Sequence, residues 1–176
     1  MIPDYQHLYD TMIINPAKMD AVGLIIDHIN KNKTIYEEVT AATSVPWYVT
    51  AVLHYREASF NFHSHLHNGD PLTARTTHVP VGRPTTGTPP FTWQESATDA
   101  LIYQGLNKVK DWSIPNMLAK IERYNGVGYQ KRGLLSPYLW SWCGYYVAGK
   151  YVADGKFNPT TVDQQCGCAV LLKLLL

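Results

Sequence analysis

Apolar side chains recur at spacings of three and four along much of this chain, the pattern of helices that bury one face. Between Pro16 and about Asn32, the residues Met19, Val22, Ile25, Ile26 and Ile29 form such a stripe. Asn15 before Pro16 supplies a cap and a first-turn proline for it. Thr34, with Glu37 three residues on, predicts a capping box at the start of a second helix. Ser44 and Pro46 open a third, in which Val49, Val52, Leu53 and Arg56 keep the same rhythm until about Ser59.

The rhythm then breaks. Phe60, Phe62 and alternating histidines lead into Asn68-Gly69-Asp70-Pro71, which is turn chemistry. The stretch from about 61 to 90, rich in Thr, Val, Gly and Pro, predicts a β-hairpin or small irregular sheet with loops. Helical signals return at Thr92, with Glu95 as its capping-box partner, and run to about Tyr103. Further helices are expected from Ser113-Ile114-Pro115 to about Tyr124, from Pro137 to Tyr145, and from Thr160 to the C-terminus. No internal repeat is visible. The expected class is α+β, mainly α, with one domain spanning residues 1–176 and a β excursion inserted between helices.

Composition narrows the function. Fifteen basic residues against 14 acidic ones, with no basic cluster, remove the electrostatic footprint of a nucleic-acid binder. The first residues lack the basic, apolar and small-residue succession of a signal peptide, so a cytoplasmic product is expected. The terminal VLLKLLL is too short to span a bilayer, which takes about 20 apolar residues, and reads as a helix packed on the core. Cys143, Cys166 and Cys168 do not form C-x-x-C pairs and are expected to be buried thiols. Five Trp and 12 Tyr provide flat faces that suit sugar rings as well as a core; Tyr138, Trp140, Trp142, Tyr145 and Tyr146 are expected mostly in the core.

The chemistry concentrates in HYREASFNFHSHLHNGDPLTART. Glu57 falls near the end of the third helix, three residues after His54 and four after Leu53, so it is expected to lean toward a semi-apolar face. Partial burial and the negative end of the helix dipole would then both favour its protonated form, as a glycosidase acid requires. The alternative is a plain surface glutamate. His63, His65 and His67 would share one face if the segment were a strand, and such a row can hold zinc for amide or ester hydrolysis. They could equally bond loop carbonyls, or, as with His65, contact sugar hydroxyls. Tyr124-Asn125-Gly126 reads either as a helix stop or as a cleft lining joined by Tyr129 and Arg132.

Glu57-Ala58-Ser59-Phe60-Asn61 resembles the word at which goose-type lysozymes and lytic transglycosylases place their catalytic acid, and Tyr124 to Tyr129 resembles their Tyr-Asn-Gly cleft word. The strings HLHNGDPLTAR, ERYNGVGY, SPYLW and YVADGKF are similar to phage and prophage lysozyme-family proteins, over roughly Pro46 to the C-terminus. The resemblance implies a lysozyme-like fold, with a cleft between the helical body and the β excursion. It also implies a monomeric endolysin without cofactor or metal, cutting the β-1,4 bond between N-acetylmuramic acid and N-acetylglucosamine in peptidoglycan once the membrane is breached. Glu57 would be the general acid, and Tyr124, Asn125 and Tyr129 sugar contacts. Phage-type lysozymes with a Glu-x8-Asp-x5-Thr pattern suggest Asp70 and Thr76 as a water-positioning pair, although twelve residues separate Glu57 from Asp70 here. Asp70 could instead only build its turn. A lytic transglycosylase or a chitinase would share the fold.

Overall fold

Local capping decides where several helices begin. In the computed structural model, which describes residues 3–153 and 155–176, the Asn15 side chain accepts the Ala17 amide at 3.0 Å and starts a 3-10 turn at Pro16. Asp4 does the same for His7 at the head of a short first helix. The helices are α1 (Tyr5–Thr11), α2 (Met19–Lys31), α3 (Lys33–Thr43), α4 (Trp47–Ala58), α5 (Trp93–Tyr103), α6 (Ile114–Asn125), α7 (Gly128–Lys131), α8 (Pro137–Trp140) and α9 (Cys168–Leu175). Two strands, β1 (Lys150–Ala153) and β2 (Lys156–Asn158), form an antiparallel pair with Tyr151 opposite Phe157. The class is α+β, mainly α.

Two compact units emerge, one built from residues 29–111 and the other from residues up to 28 together with 112–176. In the first, α3 packs on α4 and α5. Every residue of α4 from Val49 to Tyr55 is buried, so this helix is core on all sides, not an amphipathic surface element. Tyr36, Val39, Leu53, Trp93, Ala97 and Leu101 fill the space around it. The capping box at Thr92 forms as expected, with the Glu95 carboxylate accepting from the Thr92 amide at 2.7 Å. The box expected at Thr34 does not. A single residue, Asn32, separates α2 from α3, which leaves no extended residue at Thr34 to act as a cap. Glu37 instead pairs with Lys33 at 3.6 Å.

In the other unit, α6 packs on α1 and α8, and α8 packs on α9. All three cysteines are buried, as expected. The terminal helix does pack on its unit, with Cys168 to Leu172 buried, but it starts at Cys168 and not near Thr160. The helix from Pro137 stops at Trp140 because Ser141 is extended and Trp142 takes a left-handed φ of 72°. There the Trp142 carbonyl accepts the Asn15 amide at 2.9 Å. Within α2, Val22 and Ile29 are fully buried, whereas Met19 is exposed. Among the described residues no helix is long and apolar enough to cross a membrane.

The β excursion is elsewhere than expected. Residues 61–91 hold one isolated bridge, Ser64 to Pro71, and no strand. Pro71, Pro80, Pro84, Pro89 and Pro90 remove the amides that a ladder there would need.

At the junction of α8 and α9, the Gly167 amide donates to the Ser141 carbonyl at 3.0 Å, and a Cβ on Gly167 would run into the Leu139 carbonyl. Gly167→Ala should therefore destabilise the protein by about 1–3 kcal/mol. Gly23→Ala, in open space on α2, should instead leave it unchanged or stabilise it by up to about 1 kcal/mol. Urea midpoints at constant slope check both.

Candidate functional site

The last turn of α4 and the loop that follows it carry the candidate chemistry of residues 29–111. Ser59 and Phe60 both take left-handed backbone, with φ of 47° and 65°. Two consecutive non-glycine residues in that region are costly, and such strain persists only where packing fixes it. Here the turn folds Phe60 back so that its ring lies 5.2 Å from Tyr55 and 5.9 Å from His54. His54, fully buried, is also packed by Phe62 at 4.6 Å and Trp93 at 4.3 Å, and its Nδ1 meets the Tyr36 hydroxyl at 3.1 Å. Phe60 and Phe62 thus occupy the apolar face onto which Glu57 was expected to lean. Glu57 is exposed, a correction to the semi-buried setting read from its spacing.

Asp70 is almost fully buried, and its carboxylate is used up inside the loop. Oδ2 accepts from the Thr77 amide at 2.7 Å, the His78 amide at 3.0 Å, and more distantly the Thr77 hydroxyl and the Asn68 amide group at 3.3 Å. Oδ1 accepts from His78 Nδ1 at 2.6 Å. The donors of His78 and Thr77 hold the carboxyl well below the usual carboxylate range. Asp70 therefore builds the loop, one of the two roles open to it from the sequence. Thr76 is likewise consumed: its hydroxyl donates to the Pro80 carbonyl at 2.5 Å and accepts from the Arg83 amide at 2.8 Å.

The histidines do not form a row. His65 is fully buried, with Nε2 on the Ala74 carbonyl and Nδ1 on the Ser96 hydroxyl, both at 2.8 Å, so it is not available to a sugar. His67 Nε2 lies 2.8 Å from Asp99 Oδ2, and burial lowers the ring's affinity for a proton against the pull of Asp99. Arg83 binds the same carboxylate with two parallel bonds, at 2.8 and 2.7 Å. Ser96 and Asp99 are three apart on one face of α5, so the two histidines and Arg83 moor the loop to that helix. His63 is exposed. The zinc row that a strand would have produced is not formed, and among the described residues no group of three or more His, Cys, Asp or Glu could hold a metal.

In the other unit, Gly126 takes a φ of 98° at the end of α6 and its amide returns to the Arg123 carbonyl at 3.0 Å, the helix-stop reading of Tyr124-Asn125-Gly126. Tyr124 is half-buried and Asn125 exposed. Tyr129 is buried against Tyr151 and Phe157, and its hydroxyl accepts the Tyr151 amide at 3.0 Å. It anchors the β pair and offers no ring face to a sugar. Tyr138 and Trp140 are core, whereas Trp142, Tyr145 and Tyr146 are half-buried, so fewer of these aromatics enter the core than expected.

Two arrangements escaped the sequence reading. Glu122, buried on the packed face of α6, accepts from the Tyr5 hydroxyl and, at 2.7 Å, from Gln130, which joins α1 to α6 and α7. Burial, reinforced by Glu122, pushes the Tyr5 hydroxyl above its ordinary range. A Glu one position after Ile121 in an apolar stripe was the available signal. The second is the pairing of His78 with Asp70, eight residues apart across a loop, for which periodicity offers no signal.

Because the Asp70 carboxyl sits below its ordinary range in the folded protein, its contribution to stability is complete above the unfolded value of about 3.9 and is lost as pH falls below it. Thermal unfolding monitored between about pH 5 and pH 2 should show the wild type losing stability steeply. Asp70→Asn should be less stable at pH 7 and follow a shallower acid slope. Comparison of the chain with protein-family models, curated proteins and solved structures finds no match.

Proposed function

We propose that this protein cuts the glycan strands of peptidoglycan between N-acetylmuramic acid and N-acetylglucosamine, with Glu57 as the general acid. The observation that carries the reading is where α4 presents its glutamate. Glu57 stands exposed in the last turn of α4, a helix whose residues from Val49 to Tyr55 are all buried. A helix packed on all sides gives a catalytic group a fixed base. Its C-terminal end is also the end that disfavours negative charge, which suits a proton donor. The resemblance of Glu57 to Asn61 to the acid-bearing word of lysozyme-like enzymes points to the same residue.

In the reaction, the Glu57 proton passes to the bridging oxygen as the bond from that oxygen to the anomeric carbon breaks, leaving an oxocarbenium-like centre. A hydrolase then needs a water, and Asp70 with Thr76 would have positioned it. Both side chains are committed within the loop, which favours a second reading, a lytic transglycosylase. There a hydroxyl of the same sugar closes on the anomeric carbon, giving its proton to the Glu57 carboxylate, and no second carboxylate takes part.

Digestion of purified peptidoglycan, with mass spectrometry of the products, tests both. Glu57→Gln should lower the turnover number by about 10²–10⁴-fold. Asp70→Asn should keep most of it at saturating substrate. Reducing ends identify the hydrolase and anhydro ends the transglycosylase. Full activity of Glu57→Gln, or products cut only in the peptide stems, would overturn the proposal.

A further inference from the structure

Two side chains of the loop share one carboxylate of α5. Arg83 gives Asp99 two parallel bonds, Nε to Oδ2 at 2.8 Å and Nη2 to Oδ1 at 2.7 Å, and His67 Nε2 reaches the same Oδ2 at 2.8 Å. Solvent is largely shut out: 1% of the His67 side chain is exposed, 14% of Asp99 and 18% of Arg83. The Arg83 guanidinium lies 4.9 Å from the centre of the Tyr103 ring, also on α5, and the His65 ring stands 5.8 Å from that of His67. The ionisable groups that face His67 are thus Asp99 from α5, and His65 and Arg83 from the loop itself.

With both oxygens taking N–H groups of Arg83, Asp99 is an acceptor on either side, so the hydrogen between it and His67 is carried by Nε2. The other ring nitrogen, Nδ1, is buried and meets no partner among the described residues. A second proton would have to go there. It would create an N–H with no acceptor, on a cation set beside Arg83 and sharing a carboxylate that Arg83 already neutralises. Asp99 attracts that proton, but burial outweighs the attraction and holds the ring below the ordinary histidine range. Once the loop leaves α5, the ring is in water and regains ordinary affinity. Protons therefore bind the released loop more tightly than the moored one.

We propose that His67 is an acid-sensitive latch, in which a proton arriving at Nδ1 weakens the hold of α5 on residues 65–83. The latch is closed above the ordinary histidine value of about 6.5 and opens progressively as pH falls below it. Asp70 responds only below about 3.9, so the two carry separate windows. This inference does not depend on the peptidoglycan reading.

The test is amide hydrogen exchange of the full-length protein from about pH 7.5 to pH 5, corrected for the intrinsic pH dependence of exchange. Peptides from 65–83 should open more often as pH falls, by at most about tenfold per pH unit, the ceiling for one linked proton, while peptides of α4 keep their protection. His67→Gln, whose amide group can still donate to Asp99 but does not titrate, should flatten the response. His63→Asn, a change at an exposed histidine of the same loop, should preserve it. Titration of the His67 ring by NMR in the wild type gives a reading that no variant's folding can obscure, and its midpoint should fall below about 6.5. A midpoint at or above that value would overturn the latch. So would a wild-type loop whose opening ignores pH, an undiminished response in His67→Gln, or opening of α4 in step with the loop.

Discussion

A carboxylate stands in for a β-ladder in residues 61–91. A long loop without regular pairing must still satisfy its backbone amides and carbonyls, because each one buried without a partner costs as much as a lost hydrogen bond. Asp70 takes two backbone amides and orients the ring of His78. Thr76 closes the next turn, and Asp99 ties the result to α5 through His67 and Arg83. Phe60 and Phe62, at the start of the loop, pack on His54 inside α4. The end of α4, the loop and α5 thereby become one body, which fixes the turn that carries Glu57.

The same bonding redistributes the chemical roles. A carboxylate can serve as a base for water only with a lone pair directed at that water, and Asp70 directs its oxygens at protein donors. Its low affinity for protons is the electrostatic record of those donors. Building the loop and activating a nucleophile are thus competing uses of one group, and the first is the one realised. What remains to Asp70 is indirect: a fixed imidazole on the surface of a loop that would otherwise let it swing.

Helices with strong local signals were legible in the sequence. Asn15 with Pro16, and Thr92 with Glu95, cap helices because each bond spans two or three residues and needs nothing distant. The Thr34 box failed because α3 begins at Lys33, directly after the single residue that separates it from α2, so Thr34 is already inside the helix. The hairpin expected near 61–90 is absent because Thr and Val content carries no information on the amides that the prolines remove, while the pair that does form, Tyr151 opposite Phe157, is too short for its alternation to stand out. Among site residues, the burial of His65 and Tyr129 depends on rings from distant positions, Phe91 and Tyr151, that pack against them. Spacing cannot report such contacts.

An exposed acid is compatible with the proposed reaction once the substrate is counted as part of the site. In the free protein, water reaches Glu57. A polysaccharide laid across the end of α4 would strip that water, and an ionised carboxyl out of water is expensive unless it is paired. Occupancy would therefore itself favour the form that can donate a proton, and the bond to be cut would be the nearest acceptor. Cleavage then depends on how firmly the glycan is held. On the proposed reading, the burden of specificity shifts from the setting of Glu57 to the surfaces that would grip the sugar.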